Sequence, residues 1–192
     1  MKYIYFVTFL ITSLLLAGCV TKEAKLPLKK TKVAHLDLSK IDYPSEIGDY
    51  KLESKKSFED SALGITLRYI DSKKTKAYLD CHIYPQGKET DMEVHYKELI
   101  SALHYMHKEG ELSRFKILKE DSVTLDETHS ATRAIFEMEN RNISYYSVAY
   151  LTKLEDHYMK VRLSNPKKEA FLTSDFGEKT VKELFKNIKF NK

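Results

Sequence analysis

Two runs of alternating residues, 131–140 and 143–152, meet at Arg141-Asn142. Alternation with a period of two over such lengths predicts two strands, and the two-residue break between them predicts a hairpin. Pairing across that turn puts Ala134, Phe136, Met138, Ile143, Tyr145, Ala149 and Leu151 on one face. Arg133, Ile135, Glu137, Glu139, Tyr146, Val148 and Tyr150 take the other. Neither face is polar throughout. A sheet that is apolar on both faces has to be covered on both, so the hairpin demands covering elements from elsewhere in the chain.

Two amphipathic helices supply them. Met92, Tyr96, Leu99, Ile100, Leu103 and Met106 recur at spacings of three and four. Thr90 and Glu93 fit a capping box ahead of this stripe, and Gly110 offers a C-terminal cap. Near the end, Asp175 and Glu178 precede Val181, Leu184, Phe185 and Ile188 on one stripe. Further strands are predicted over 50–54, 64–70, 76–84, 115–121 and 158–163, with turn signals at Asp71-Ser72-Lys73 and Pro85-Gln86-Gly87. Asn165-Pro166 is expected to stop the last strand. The order of three strands, helix, four strands, helix predicts an α+β domain: an antiparallel sheet of about seven strands covered by two main helices.

This element order, over roughly 43–190, resembles the PsbP-like fold, an antiparallel sheet between helical layers found in thylakoid-lumen and some bacterial exported proteins. The resemblance implies a sandwich architecture and carries over no site residues.

The chain begins Met1-Lys2 and is then apolar almost without interruption from Tyr3 to Leu16. That run is short of the roughly 20 residues a spanning helix needs. A positive start, an apolar stretch and small residues at its end make an export signal. Leu16-Ala17-Gly18-Cys19 resembles the lipobox of bacterial lipoproteins. The resemblance implies that signal peptidase II cuts before Cys19, that its thiol is diacylated with palmitate-type chains, and that Cys19 becomes the first residue and membrane anchor. Two or three acyl chains hold a protein at a membrane surface almost permanently. The expected organisation is a signal peptide at 1–18, a lipidated cysteine with a flexible basic tether at 19–42, and a single α+β domain at 43–192. At 5–6 Å per square root of residue number, the tether reaches about 25–30 Å. Val20 after the lipid cysteine resembles the outer-membrane default of enteric bacteria. In a Gram-negative cell the expected location is therefore the periplasmic face of the outer membrane.

The remaining composition narrows the function by exclusion. The formal charge is +4, and the five arginines (Arg68, Arg114, Arg133, Arg141 and Arg162) are scattered. An exported chain without a clustered arginine face is not expected to bind nucleic acid. The six glycines are too dispersed for a phosphate-cradling loop, and no nucleophile elbow, paired-cysteine zinc motif or calcium loop is present. No cofactor is expected. With Cys19 acylated, Cys81 has no partner, and it shares the apolar parity of Leu79 and Ile83. His104 and His107 sit three apart with Glu111 one turn on, a spacing zinc sites use, but nothing nearby supplies further ligands, so no metal site is expected. Glu137 and Glu139 face the same way beside Arg133, and ion pairing across the sheet is the expected use.

Tyrosine is abundant, with thirteen in the chain. Tyr146 and Tyr150, with Arg133 and Glu137, form the candidate binding face, because tyrosine supplies rigid amphipathic contact area. The resulting expectation is a non-catalytic, membrane-anchored envelope lipoprotein, tied to the membrane through Cys19 and binding an envelope protein through an exposed aromatic patch. Two alternatives stand beside it. An envelope hydrolase predicts a cleft where His82, His95, His104 or His107 meets a carboxylate. A small-ligand carrier predicts a closed apolar pocket between helix and sheet.

Overall fold

The computed structural model describes residues 40–58, 60, 63–74, 76–86, 91–168 and 175–190. Cys19, the signal segment, almost all of the tether, and Gly87 and Thr90 lie outside the described residues. The elements are β1 (Ile41–Asp42), β2 (Glu46–Ile47), β3 (Tyr50–Ser57), β4 (Ile65–Asp71), β5 (Tyr78–Pro85), α1 (Met92–Lys108), β6 (Arg114–Thr124), β7 (Ser130–Asn140), β8 (Ile143–Leu154), β9 (His157–Pro166), α2 (Glu178–Asn187) and β10 (Lys189–Phe190).

The hairpin takes the register its alternation predicts. Arg133 lies opposite Tyr150, Ala134 opposite Ala149 and Glu137 opposite Tyr146. Arg141 and Asn142 adopt φ of 50° and 64°. Two consecutive left-handed residues make the turn whose twist matches that of the flanking strands. Around this hairpin grows an antiparallel sheet of order β2-β3-β4-β5-β9-β8-β7-β6. The seven expected strands are all present, and the two-residue β2 adds an eighth at one edge. A separate ribbon pairs β1 with β10. The sheet is two meanders, β2–β5 and β6–β9, with α1 carrying the chain between them and β9 closing against β5.

Each helix packs on one face. Leu103 and Met106 of α1 pack with Ala134, Phe136, Met138, Tyr145 and Ala149. Val181, Leu184 and Phe185 of α2 pack on the opposite face with Ile135, Val148 and Tyr150, and this core continues through Leu67, Cys81 and Val161. The result is an α+β sandwich with its sheet in the middle. Among the described residues no helix is long and apolar enough to cross a membrane.

Three local expectations change. The N-cap of α1 is Asp91, whose carboxylate accepts from the Glu93 amide at 2.8 Å. Asp91 is the last extended residue before the helix, which places the cap one position after Thr90. At the other end Gly110 takes φ 78°, as its cap role requires. Asn165-Pro166 does not stop β9, which runs to Pro166 opposite Tyr145. Past Ser164 the strand has β8 on one side and no longer β5, so a residue without an amide donor is tolerated there. Finally, α2 starts from Gly177 at φ 74°, where a Cβ would lie 2.8 Å from Val148 Cγ1. Only glycine lets the helix approach the sheet this closely.

Candidate functional site

The four residues of the expected binding face do share one side of the sheet, but they do not form an exposed surface. α2 lies over two of them: Tyr150 is 1% exposed and Arg133 3%. The Tyr150 hydroxyl donates to the Phe176 carbonyl at 3.2 Å, and burial pushes its pKa up to about 12. Arg133 donates through Nε and Nη2 to the two Asp121 oxygens, both at 2.7 Å, and through Nη1 to Glu178 Oε2 at 3.3 Å. These bonds hold the Asp121 carboxyl down at about 2. Glu137 pairs with Lys167 at 2.7 Å rather than with Arg133, and the Lys167 ammonium sits 4.8 Å from the centre of the half-buried Tyr146 ring. Glu139 accepts from Ser113 and Ser144 instead. Alternation assigns a side chain to a face; it does not say how far a helix forty residues away will extend over it.

The opposite face is less completely covered. α1 packs against the β6–β8 half, and a polar row crosses β4, β5 and β9 beside it. In that row Arg68 lies opposite Asp80, and Asp80 opposite Arg162. Arg68 donates through Nε to Asp80 Oδ1 at 2.7 Å and through Nη2 to Oδ2 at 2.9 Å. Arg162 Nη2 donates to the same Oδ2 at 3.1 Å. The guanidinium carbons of Arg68 and Arg162 lie 5.3 and 5.5 Å from the centre of the Tyr78 ring. The three side chains are 34%, 17% and 21% exposed for Arg68, Asp80 and Arg162, so solvent reaches the row without surrounding it. One carboxylate serves two guanidiniums. Arg68 Nη1 and Arg162 Nε and Nη1 have no acceptor among the described residues. Each of those unused donors can bond an oxygen of an incoming oxyanion.

The next row adds a third cation. Thr66, His82 and Lys160 are aligned across β4, β5 and β9. The Lys160 ammonium lies 4.8 Å from the centre of the Tyr84 ring, and no carboxylate lies within ion-pair distance of it among the described residues. Burial lowers the Lys160 pKa, and the charge of Glu98 on α1 offsets this in part. His82 stacks on Tyr84 at 4.9 Å between ring centres. Its Nε2 lies 2.7 Å from the Leu63 carbonyl, so this nitrogen carries the proton and donates. Its Nδ1, the Tyr84 hydroxyl and Thr66 Oγ1 are buried without a partner among the described residues. Burial lowers the His82 pKa to about 4 and keeps the ring neutral.

Of this cluster the sequence singles out only His82, and as a hydrolase candidate. Alternation in 76–84 does place Asp80, His82 and Tyr84 on the face opposite Cys81. Which strand lies beside β5 is set by the long-range closure of β9, and no local signal announces it.

Elsewhere, a cleft of about 600 Å³ opens on the α2 side of the sheet, lined by Asp49, Tyr50, Asp71, Asn165, Asp175 and Glu183 among others. Its walls are polar, unlike the apolar chamber a carrier needs. Cys81 is buried and free, with its thiol pKa pushed up by burial. His104 packs edge-on to Phe115, and His107 Nδ1 lies 2.8 Å from the Leu112 carbonyl. Among the described residues no three His, Cys, Asp or Glu side chains are grouped to hold a metal. Two histidines do meet carboxylates. His95 Nδ1 lies 3.5 Å from Glu98 Oε2 on its own helix, with its ring 4.2 Å from that of Tyr158. His129 Nδ1 lies 3.0 Å from Asp126 Oδ1 and 2.8 Å from Thr128 Oγ1. Carboxylate and hydroxyl there address the same ring nitrogen, whereas a nucleophile relay uses opposite nitrogens.

No protein-family model matches the chain, and no curated protein matches it. Among solved structures, the chain is similar to the solution structure of cyanobacterial PsbP (CyanoP) from Synechocystis sp. PCC 6803. The two are 9% identical with a TM-score of 0.48, over 90% of this chain and 99% of that one. At this identity the likeness is one of fold alone.

Proposed function

We propose that this protein is a bacterial envelope lipoprotein, anchored through acyl chains on Cys19, whose domain is a non-catalytic binding module for an anionic group. The observation that carries the binding role is the Arg68–Asp80–Arg162 row, two guanidiniums sharing one carboxylate on a partly open face. The anchor rests on Leu16-Ala17-Gly18-Cys19 behind its apolar run. The basic tether would then hold the domain within a few tens of ångströms of the bilayer.

Two experiments address the two halves. Cys19→Ser is expected to abolish palmitate labelling and leave unprocessed precursor; normal processing and labelling of that variant would refute the anchor. Crosslinking in living cells is expected to recover one envelope component with the native chain and to lose it when Arg68 and Arg162 are both changed to Gln. Equal recovery with the double variant would remove this face from the binding role. A hydrolase reading draws on His95 beside Glu98. Hydrolysis of an envelope polymer that survives Arg68→Gln but not His95→Gln would favour it.

A further inference from the structure

Arg68, Arg162 and Lys160 project from one sheet face within two rows of one another, and Asp80 is the carboxylate bonded among them. Lys160 and Arg162 are two apart on β9, which places their Cα atoms about 7 Å apart and both side chains on the same side. Two further acids act on these cations at longer range, Glu53 on Arg68 and the 56% exposed Glu98 of α1 on Lys160, and neither makes an ion pair with them among the described residues. By contact, three cations share one bonded carboxylate, which leaves two without an anionic partner. An anion that completed both contacts would supply two negative charges and several acceptor oxygens. A carboxylate has one charge and two oxygens. A phosphate monoester carries between one and a half and two negative charges near neutral pH, and three acceptor oxygens.

We propose that the Arg68–Arg162–Lys160 face binds a phosphate monoester dianion, with Tyr78 and Tyr84 forming the walls that hold the cations in place. Arg162 Nε and Nη1 lie on different edges of the guanidinium, so one of them donates to one phosphate oxygen, Arg68 Nη1 is placed to donate to a second, and Lys160 supplies a point charge for the third. Tyr78 stacks against both guanidiniums, so their donors are held in place before the ligand arrives. Lys160 also gains most from the ligand. Desolvation lowers its pKa, and a dianion beside it restores the charged form. The proposal rests on the binding-module reading and names the ligand of that same face.

The test is calorimetric titration of the full-length chain in neutral detergent with inorganic phosphate, at constant ionic strength against chloride and acetate. Phosphate is expected to bind saturably and acetate about tenfold more weakly, the loss of one charge-assisted hydrogen bond. Lys160→Gln should weaken phosphate by a similar factor of about ten. Arg162→Gln should abolish binding. Lys160 makes no ion pair among the described residues, so its variant tests the site without removing a bonded charge. A second arm uses phosphatidylcholine vesicles with and without phosphatidic acid. Saturation by phosphate in solution points to a soluble phosphate ester. Lysine-dependent binding to phosphatidic acid vesicles alone points to a lipid headgroup. No phosphate heat above chloride together with vesicle binding that ignores Lys160→Gln overturns the proposal, as does a Lys160→Gln chain that binds phosphate as tightly as the native one. Either failure leaves palmitate labelling at Cys19 and the crosslinking result to be judged separately.

Discussion

Arg133 and Arg162 both sit on inner strands of one sheet, each opposite a carboxylate one strand away, and they end in different situations. Arg133 meets two carboxylates, Asp121 on β6 and Glu178 at the first position of α2, and is buried beneath that helix. Lys119 also pairs with Asp121 and Lys182 with Glu178, so every charge in the cluster has a partner, and the Arg133 bonds tie two strands and a helix together. Arg162 shares Asp80 with Arg68, keeps two donor nitrogens without an acceptor among the described residues, and has Lys160 two residues away. The first cluster is closed within the protein; in the second, three cations have one carboxylate in contact. The difference follows from which helix covers which half of the sheet. α2 lies across the rows holding Arg133, whereas α1 packs on the β6–β8 half and leaves the β4–β5–β9 half partly open.

The comparison breaks most readily at Arg133. Arg133→Met leaves Asp121 to Lys119 and Glu178 to Lys182, and because both carboxylates are partly exposed, losing the buried cation between them is expected to cost about 2 kcal/mol. Arg162→Gln is expected to stay within about 1 kcal/mol, because Arg68 still neutralises Asp80. Urea denaturation of both variants measures this, and equal losses would erase the distinction between staple and site.

Much of this fold was legible in the residues, and the site was not, for a physical reason. The 131–152 hairpin, both helix stripes and the α+β layering follow from periodicities that act within a dozen residues. Tyr150 and Arg133 were correctly assigned to one face of β7 and β8, yet burial there depends on α2, whose docking is a long-range event helped by Gly177. The pairing of Asp80 with Arg162 spans eighty-two residues and depends on β9 closing against β5. The sequence shows Asp80 on one strand and Lys160 and Arg162 on another, and no local pattern joins them.

Acidification separates the two clusters by order. His82, in the cationic half, binds a proton near 6.5 when unfolded and near 4 when folded, because burial disfavours its charged form. The unfolded chain therefore takes up the proton first, and stability falls as pH drops from about 6.5 to 4, by about 2 kcal/mol. His82→Gln keeps a donor for Leu63 and should flatten that step in urea titrations at pH 7 and pH 4. Asp121 has the opposite kind of shift. Its folded pKa of about 2 lies below the ordinary carboxylate value, so its contribution is complete above about pH 4 and fades as pH falls toward 2. That lower step is expected to be worth about 1–2 kcal/mol, reduced by the carboxylate's partial exposure, and should shrink in Arg133→Met, where Lys119 alone holds the carboxyl down. A single step insensitive to both substitutions would show that neither cluster controls the acid response.

The smallest effect is the most informative about Lys160. Its ammonium is desolvated on the sheet face, and the lowered pKa means that this surrounding disfavours its charge even with Tyr84 against it and Glu98 nearby. A cation–π contact with tyrosine contributes about 0.5–1 kcal/mol, and desolvation outweighs it here. Lys160→Met keeps the length and apolar stem of the side chain, removes the buried charge, and is expected to stabilise the unliganded protein by about 0.5 kcal/mol. Phosphate should reverse the ranking, since a ligand that binds only the folded state stabilises it in proportion to its affinity. With enough phosphate the native chain then melts above the Lys160→Met variant, and without phosphate below it. If instead the variant is the less stable of the two in phosphate-free buffer, Lys160 is already satisfied within the protein.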